Sequence, residues 1–108
     1  MTQYANPRQG ISCEHLRAIL REATAQERSW VAVLSRLQPK LAANRRQIAN
    51  LKRQADNTGD HESFAAEIRA LENENRRLER EISTTQNKLE SARLKASDAR
   101  SEMAIHRC

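Results

Sequence analysis

The sequence predicts an all-α fold: a long antiparallel two-helix coiled-coil hairpin, dimerising into a four-helix bundle. Three observations predict it. Apolar residues recur at alternating steps of four and three along nearly the whole chain, the spacing of a coiled-coil seam. One short segment, Ala55-Asp56-Asn57-Thr58-Gly59-Asp60, holds the only strong cluster of helix breakers between two such runs. The two runs can also be laid against each other so that polar seam positions meet in one layer.

Composition points the same way. The chain has 108 residues, 31% of them charged and 38% apolar, with Tyr4, Trp30 and Phe64 as its aromatic residues. That is thin material for a compact core and suits long helices with much solvated surface. No apolar run approaches the roughly 18 residues that cross a bilayer, and the N-terminus lacks a basic-then-apolar leader pattern. The expectation is a cytoplasmic protein with no membrane association.

Residues 1–11 carry Pro7 and Gly10 without periodicity and are expected to form a flexible tail. Ser12 can cap the helix that follows. With Cys13 at heptad position a, the stripe runs through Leu16, Leu20, Ala23, Glu27, Trp30, Leu34, Leu37, Leu41, Asn44, Ile48, Leu51 and Ala55. This first helix is expected over residues 12–56. Pro39 removes one backbone hydrogen bond from it, at a cost of about 3 kcal/mol in a helix interior, and is expected to kink it. Leu37 and Leu41 keep phase across Pro39, which favours a kink over a split into two helices.

The turn is expected at 57–60, where Asn57 and Gly59 suit a C-terminal cap and Asp60 or Thr58 an N-terminal one. The second helix, over 60–106, carries its stripe on Phe64, Ile68, Leu71, Asn75, Leu78, Ile82, Thr85, Leu89, Ala92, Ala96, Ala99, Met103 and His106. So short a connection makes the helices antiparallel neighbours, and residues 12–107 one hairpin. Pairing Ala55 with Phe64 then stacks Leu51 on Ile68, Ile48 on Leu71, Asn44 on Asn75, Leu41 on Leu78 and Leu37 on Ile82. Asn44 and Asn75 form a polar layer that sets the register, each amide expected to bond the other. Across the flanks the same pairing sets Arg45 against Glu72 and Lys40 against Glu81, and places Arg17 near Arg100 as a like-charged exception.

Functional signals are sparse. Ile19, Trp30, Val31, Val33 and Leu34 widen the apolar stripe beyond one seam, making a candidate protein interface and a surface for self-association. The basic residues are unevenly held. Residues 1–56 carry ten Lys/Arg against four acids, and residues 57–108 nine against ten. Arg36, Lys40, Arg45, Arg46, Lys52 and Arg53 are the candidate contacts of an alternative, nucleic-acid-binding function. There is no glycine-rich phosphate loop and no aromatic platform for bases.

Cys13 and Cys108 are expected to be reduced thiols. A disulfide between them and a zinc site with His15 and His106 are the alternatives, and zinc is disfavoured because helical residues two apart point to nearly opposite faces. His61, at the turn, is expected to be solvated. Dispersed acids and chain-end histidines give catalysis little to stand on, and no cofactor is implied. The reading is a non-enzymatic coiled-coil protein-binding module: an adaptor, stalk, chaperone-like or small regulatory protein acting on a larger assembly. In architecture it resembles the helical-hairpin stalks of type III export machinery and the tRNA-binding arm of seryl-tRNA synthetase, with no residue motif shared.

Overall fold

The computed structural model describes residues 12–108; the expected tail at residues 1–11 lies outside them. Two helices, α1 (Cys13–Thr58) and α2 (His61–Ile105), pack against each other as a helical hairpin, with no strand among the described residues. Ser12 starts α1: its hydroxyl accepts the amide of His15 at 3.0 Å and its carbonyl accepts that of Leu16 at 3.1 Å. α1 is continuous through Pro39, so it is not split there.

α1 reaches Thr58, beyond the expected end at residue 56, because the last turn finds partners. Thr58 Oγ1 donates to the Gln54 carbonyl at 2.8 Å, and the Gly59 amide donates to Ala55 at 2.8 Å. Gly59 then takes a φ of 73°, the left-handed conformation that ends a helix at little cost when no Cβ is present. Asp60 opens α2 by accepting the Ser63 amide on Oδ1 at 3.2 Å and the Ser63 hydroxyl on Oδ2. Those two bonds, the side-chain one first, and the charge of His61 hold the Asp60 carboxyl below its ordinary range.

The chain divides into two compact units. The turn unit, residues 32–86, packs a cluster of Leu41, Leu78 and Ile82 with Leu34 and Leu37 against it. Leu51, Ala55, Asn44, Asn75 and Thr85 are also buried there. The other unit joins residues up to Val31 to residues 87–108. Its described buried residues are Leu16, Leu89 and four alanines, Ala23, Ala92, Ala96 and Ala99.

That second unit contains a disulfide between Cys13 and Cys108, with Cα atoms 5.6 Å apart. The expectation of two reduced thiols is corrected by it. Cys108 lies beyond the end of α2. Arg107 takes a φ of 55°, its amide bonds Ala104 at 3.2 Å, and the Cys108 amide bonds Met103 at 2.8 Å. This paired six-to-one and five-to-two closure is a Schellman cap, and it swings Cys108 back toward the start of α1.

Candidate interaction surfaces

The polar layer is built differently from its expectation. Asn44 and Asn75 are both buried in the seam of the turn unit, but their amides do not bond each other. Asn44 Nδ2 donates instead to Glu74 Oε1 at 3.2 Å, the same oxygen that lies 3.3 Å from Lys40 Nζ. Asn75 Oδ1 is buried without a hydrogen-bond partner. A charged acceptor on the flank outcompetes a neutral one in the layer, since bonds to a carboxylate are roughly twice as strong as neutral ones. Glu74 is correspondingly held below the ordinary glutamate value, first by the Asn44 bond, then by Lys40 and by the charge of Arg77.

The flank charges pair one heptad away from the expected partners. Lys40 meets Glu74 and not Glu81; Arg45 meets Glu79, at 3.8 Å, and not Glu72. The flanks themselves are the expected ones. Lys40 and Glu74 both occupy g positions, as do Gln47 and Glu67, bonded at 3.4 Å, while Arg45 and Glu79 both occupy e. Because α2 repeats glutamate every seventh residue on these edges, each cation has two acidic candidates within reach, and sequence spacing alone does not choose between them.

The candidate apolar residues fall in both units. In the turn unit Leu34 packs on the Leu41 cluster and belongs to the core, and Val33 is half-buried. In the disulfide unit Ile19 and Trp30 are half-buried and Val31 is 44% exposed. Lys88 Nζ lies 4.8 Å from the centre of the Trp30 ring, a cation–π contact worth about 0.5–1 kcal/mol at an exposed site. Leu94 and Ile105, which the seam register does not use, are each 56% exposed.

The six candidate nucleic-acid contacts, Arg36, Lys40, Arg45, Arg46, Lys52 and Arg53, are all exposed in the turn unit. Lys40 and Arg45 are drawn into the pairs with Glu74 and Glu79. Lys52 lines an open cleft of about 480 Å³ beside the turn with Ala55, Asp56, His61, Ala65, Ile68, Arg69 and Glu72. His61 is exposed there, its Nε2 3.7 Å from Asp56 Oδ1. In the disulfide unit a cleft of about 310 Å³ is lined by His15, Leu16, Ile19, Lys95, Asp98, Ala99 and Glu102. His106 Nε2 stands 3.5 Å from Glu102 Oε2 one turn back. Among the described residues no group of three or more His, Cys, Asp or Glu is arranged to hold a metal ion, and the disulfide takes both thiols that a zinc site with His15 and His106 would need. No described helix is long and apolar enough to cross a membrane.

No family model matches the chain, and neither does any curated protein or solved structure.

Proposed function

We propose that the protein is a non-enzymatic coiled-coil protein-binding module, an adaptor, stalk, chaperone-like or small regulatory protein that engages a larger assembly. One observation carries this reading. The seam uses a single stripe of each helix, yet large apolar side chains stand outside it, with Ile19 half-buried and Val31, Leu94 and Ile105 exposed. A two-helix seam buries little area, so side chains of this kind favour a further helical surface, including that of a second copy in a four-helix bundle. The nucleic-acid alternative is weaker because two of its six cations are already paired with glutamates across the seam.

The disulfide also bears on where the protein works. Such bonds persist in oxidising compartments and are rare in the cytosol, so an oxidising compartment fits Cys13–Cys108 better than the cytoplasm expected from the apolar-run and leader patterns.

The test is sedimentation of the intact chain beside Ile19→Glu and Val31→Glu. A wild-type dimer that becomes a helical monomer on either substitution supports the bundle. A wild-type monomer removes the homodimer. Cross-linking mass spectrometry on the native source then decides whether a protein partner lies on these residues, and cross-links to nucleic acid alone would refute protein binding.

A further inference from the structure

The e positions of the seam carry opposite charges in one unit and lack them in the other. In the turn unit Arg45 of α1 meets Glu79 of α2. Stepping by heptads away from the turn, the same pair of positions is held by Gln38 with Gln86, then Val31 with Arg93, then Thr24 with Arg100. The acidic partner is gone, and arginine stands where glutamate stood. Position b, the neighbour of e on a helix surface, adds Arg21 and Arg28, and Arg17 is itself an e residue.

All five arginines, Arg17, Arg21, Arg28, Arg93 and Arg100, are exposed, and none is ion-paired among the described residues. Only Glu14 and Glu90 oppose them at the e and b positions of this face. Arg17 and Arg21 stand four residues apart on α1, a like-charged spacing that destabilises the helix that carries it. An outside partner that brings negative charge would relieve that cost.

We propose that this face of the disulfide unit docks an acidic helix of a protein partner, one carrying glutamate or aspartate at seven-residue intervals. The inference rests on the protein-binding reading above and names the partner's chemistry. Spacing supports a helix over a phosphate backbone. Arg21 and Arg28 on α1, and Arg93 and Arg100 on α2, are each one heptad apart, about 10.5 Å at 1.5 Å per residue. That is the repeat of flank acids on a coiled-coil strand and is longer than the spacing of successive phosphates. Val31, 44% exposed beside these arginines, offers a further helix an apolar contact that a phosphate chain has no use for. The fork of each guanidinium can hold a carboxylate by two parallel bonds.

The experiment titrates the oxidised full chain with three probes and follows binding by calorimetry. One is a helical peptide of about four heptads with glutamates seven apart beside a leucine stripe. The second has the same composition with the glutamate spacing scrambled, and the third is a DNA duplex of similar length. The expected result is binding of the first peptide, at least about tenfold weaker binding of the scrambled one, and loss on Arg93→Glu/Arg100→Glu with helicity unchanged. Arg46→Glu/Arg53→Glu alters net charge equally in the turn unit and is expected to leave binding within about twofold, as surface charges remote from a contact do.

No binding of the first peptide, equal binding of both peptides, or equal loss with the turn-unit variant overturns the proposal. Duplex binding that outcompetes the peptide through the same arginines overturns it together with the protein-binding reading. A natural protein partner retained in full by Arg93→Glu/Arg100→Glu refutes this face and leaves that reading standing.

Discussion

The two units solve the same packing problem with different materials. The turn unit buries Leu41, Leu51, Leu78 and Ile82, spaces them with Asn44, Asn75 and Thr85, and pairs its flank charges across the seam. The disulfide unit buries Ala23, Ala92, Ala96 and Ala99 between Leu16 and Leu89, leaves its flank arginines unpaired, and closes with a covalent bond. Burial is worth about 0.8 kcal/mol per CH₂-sized group, so an alanine layer contributes much less than a leucine layer. Where side chains hold the helices strongly no cross-link is present, and where they hold them weakly one is. The comparison teaches that Cys13–Cys108 does locally what Leu41, Leu78 and Ile82 do in the turn unit.

Removing the bond is the sharpest way to break that comparison. Cys13 and Cys108 are 95 residues apart in sequence, and a cross-link closing a loop near that length stabilises by about 4–5 kcal/mol in the chain-entropy account. Cys13→Ser or reduction is therefore expected to lower the thermal midpoint substantially. Amide exchange should speed up first in residues 13–31 and 87–105, with 32–86 still protected. Equal loss of protection in both units would show that the bond supports the whole hairpin and not the alanine seam in particular.

Core truncation tests the other half. Leu78→Ala, at a site 7% exposed within the cluster of the turn unit, is expected to cost about 2–5 kcal/mol by denaturant unfolding. In the disulfide unit the informative change runs the other way. Ala96 is 0% exposed, and Ala96→Leu should cost about 1–3 kcal/mol by overpacking, even though it adds apolar surface. A stabilising Ala96→Leu would mean that the alanine layer is loosely packed and that the contrast between the units is overstated.

How much of this was legible beforehand divides along physical lines. The four-three stripe is a property of spacing, so the seam positions could be read directly: Leu41, Asn44, Asn75, Leu78, Ile82 and Ala96 are all buried. The cap at Ser12 and the reversal at Gly59 were legible because those residue types have few other uses at a helix end. The disulfide was not. It depends on Arg107 adopting a left-handed conformation that asparagine or glycine would advertise and arginine does not. Flank partners were legible to within a heptad only, since glutamates repeat along α2 and long side chains choose between neighbours. The candidate interface residues divided for a similar reason: Leu34 lies on the seam stripe and packs against the core cluster, while Val31, three residues earlier at an e position, is exposed.

A smaller effect separates the two asparagines that the sequence treats as equivalent. Asn75 Oδ1 is buried and unbonded, whereas the Asn44 amide is bonded to Glu74. An unsatisfied buried polar atom costs about 1–3 kcal/mol, so Asn75→Leu is expected to raise the unfolding free energy, read from denaturant titration, by an amount in that range. Asn44→Leu should gain less, because it also removes a bond to a carboxylate. If polar pairing in this layer selects register or oligomeric state, the double substitution will broaden the species distribution in native mass spectrometry; a single unchanged mass and register would show that it does not.

The weakest lever is the Glu74 carboxylate, and it is specific to the turn unit. Its folded-state pKa lies below the ordinary value of 4.5 because Asn44, Lys40 and Arg77 favour the charged form. A depressed carboxylate contributes stability that is present above its unfolded pKa and disappears as pH falls through the folded one. The contribution should therefore be intact at neutral pH and vanish on acidification below about pH 4.5, with Glu74→Gln flattening that part of the stability–pH curve. The exchange behaviour of the disulfide unit should not follow Glu74→Gln, because every named partner of this carboxylate lies in residues 32–86. A matching change in both units would mean that the flank charges of the turn unit act on the whole hairpin, and the separation into two differently built halves would have to be abandoned.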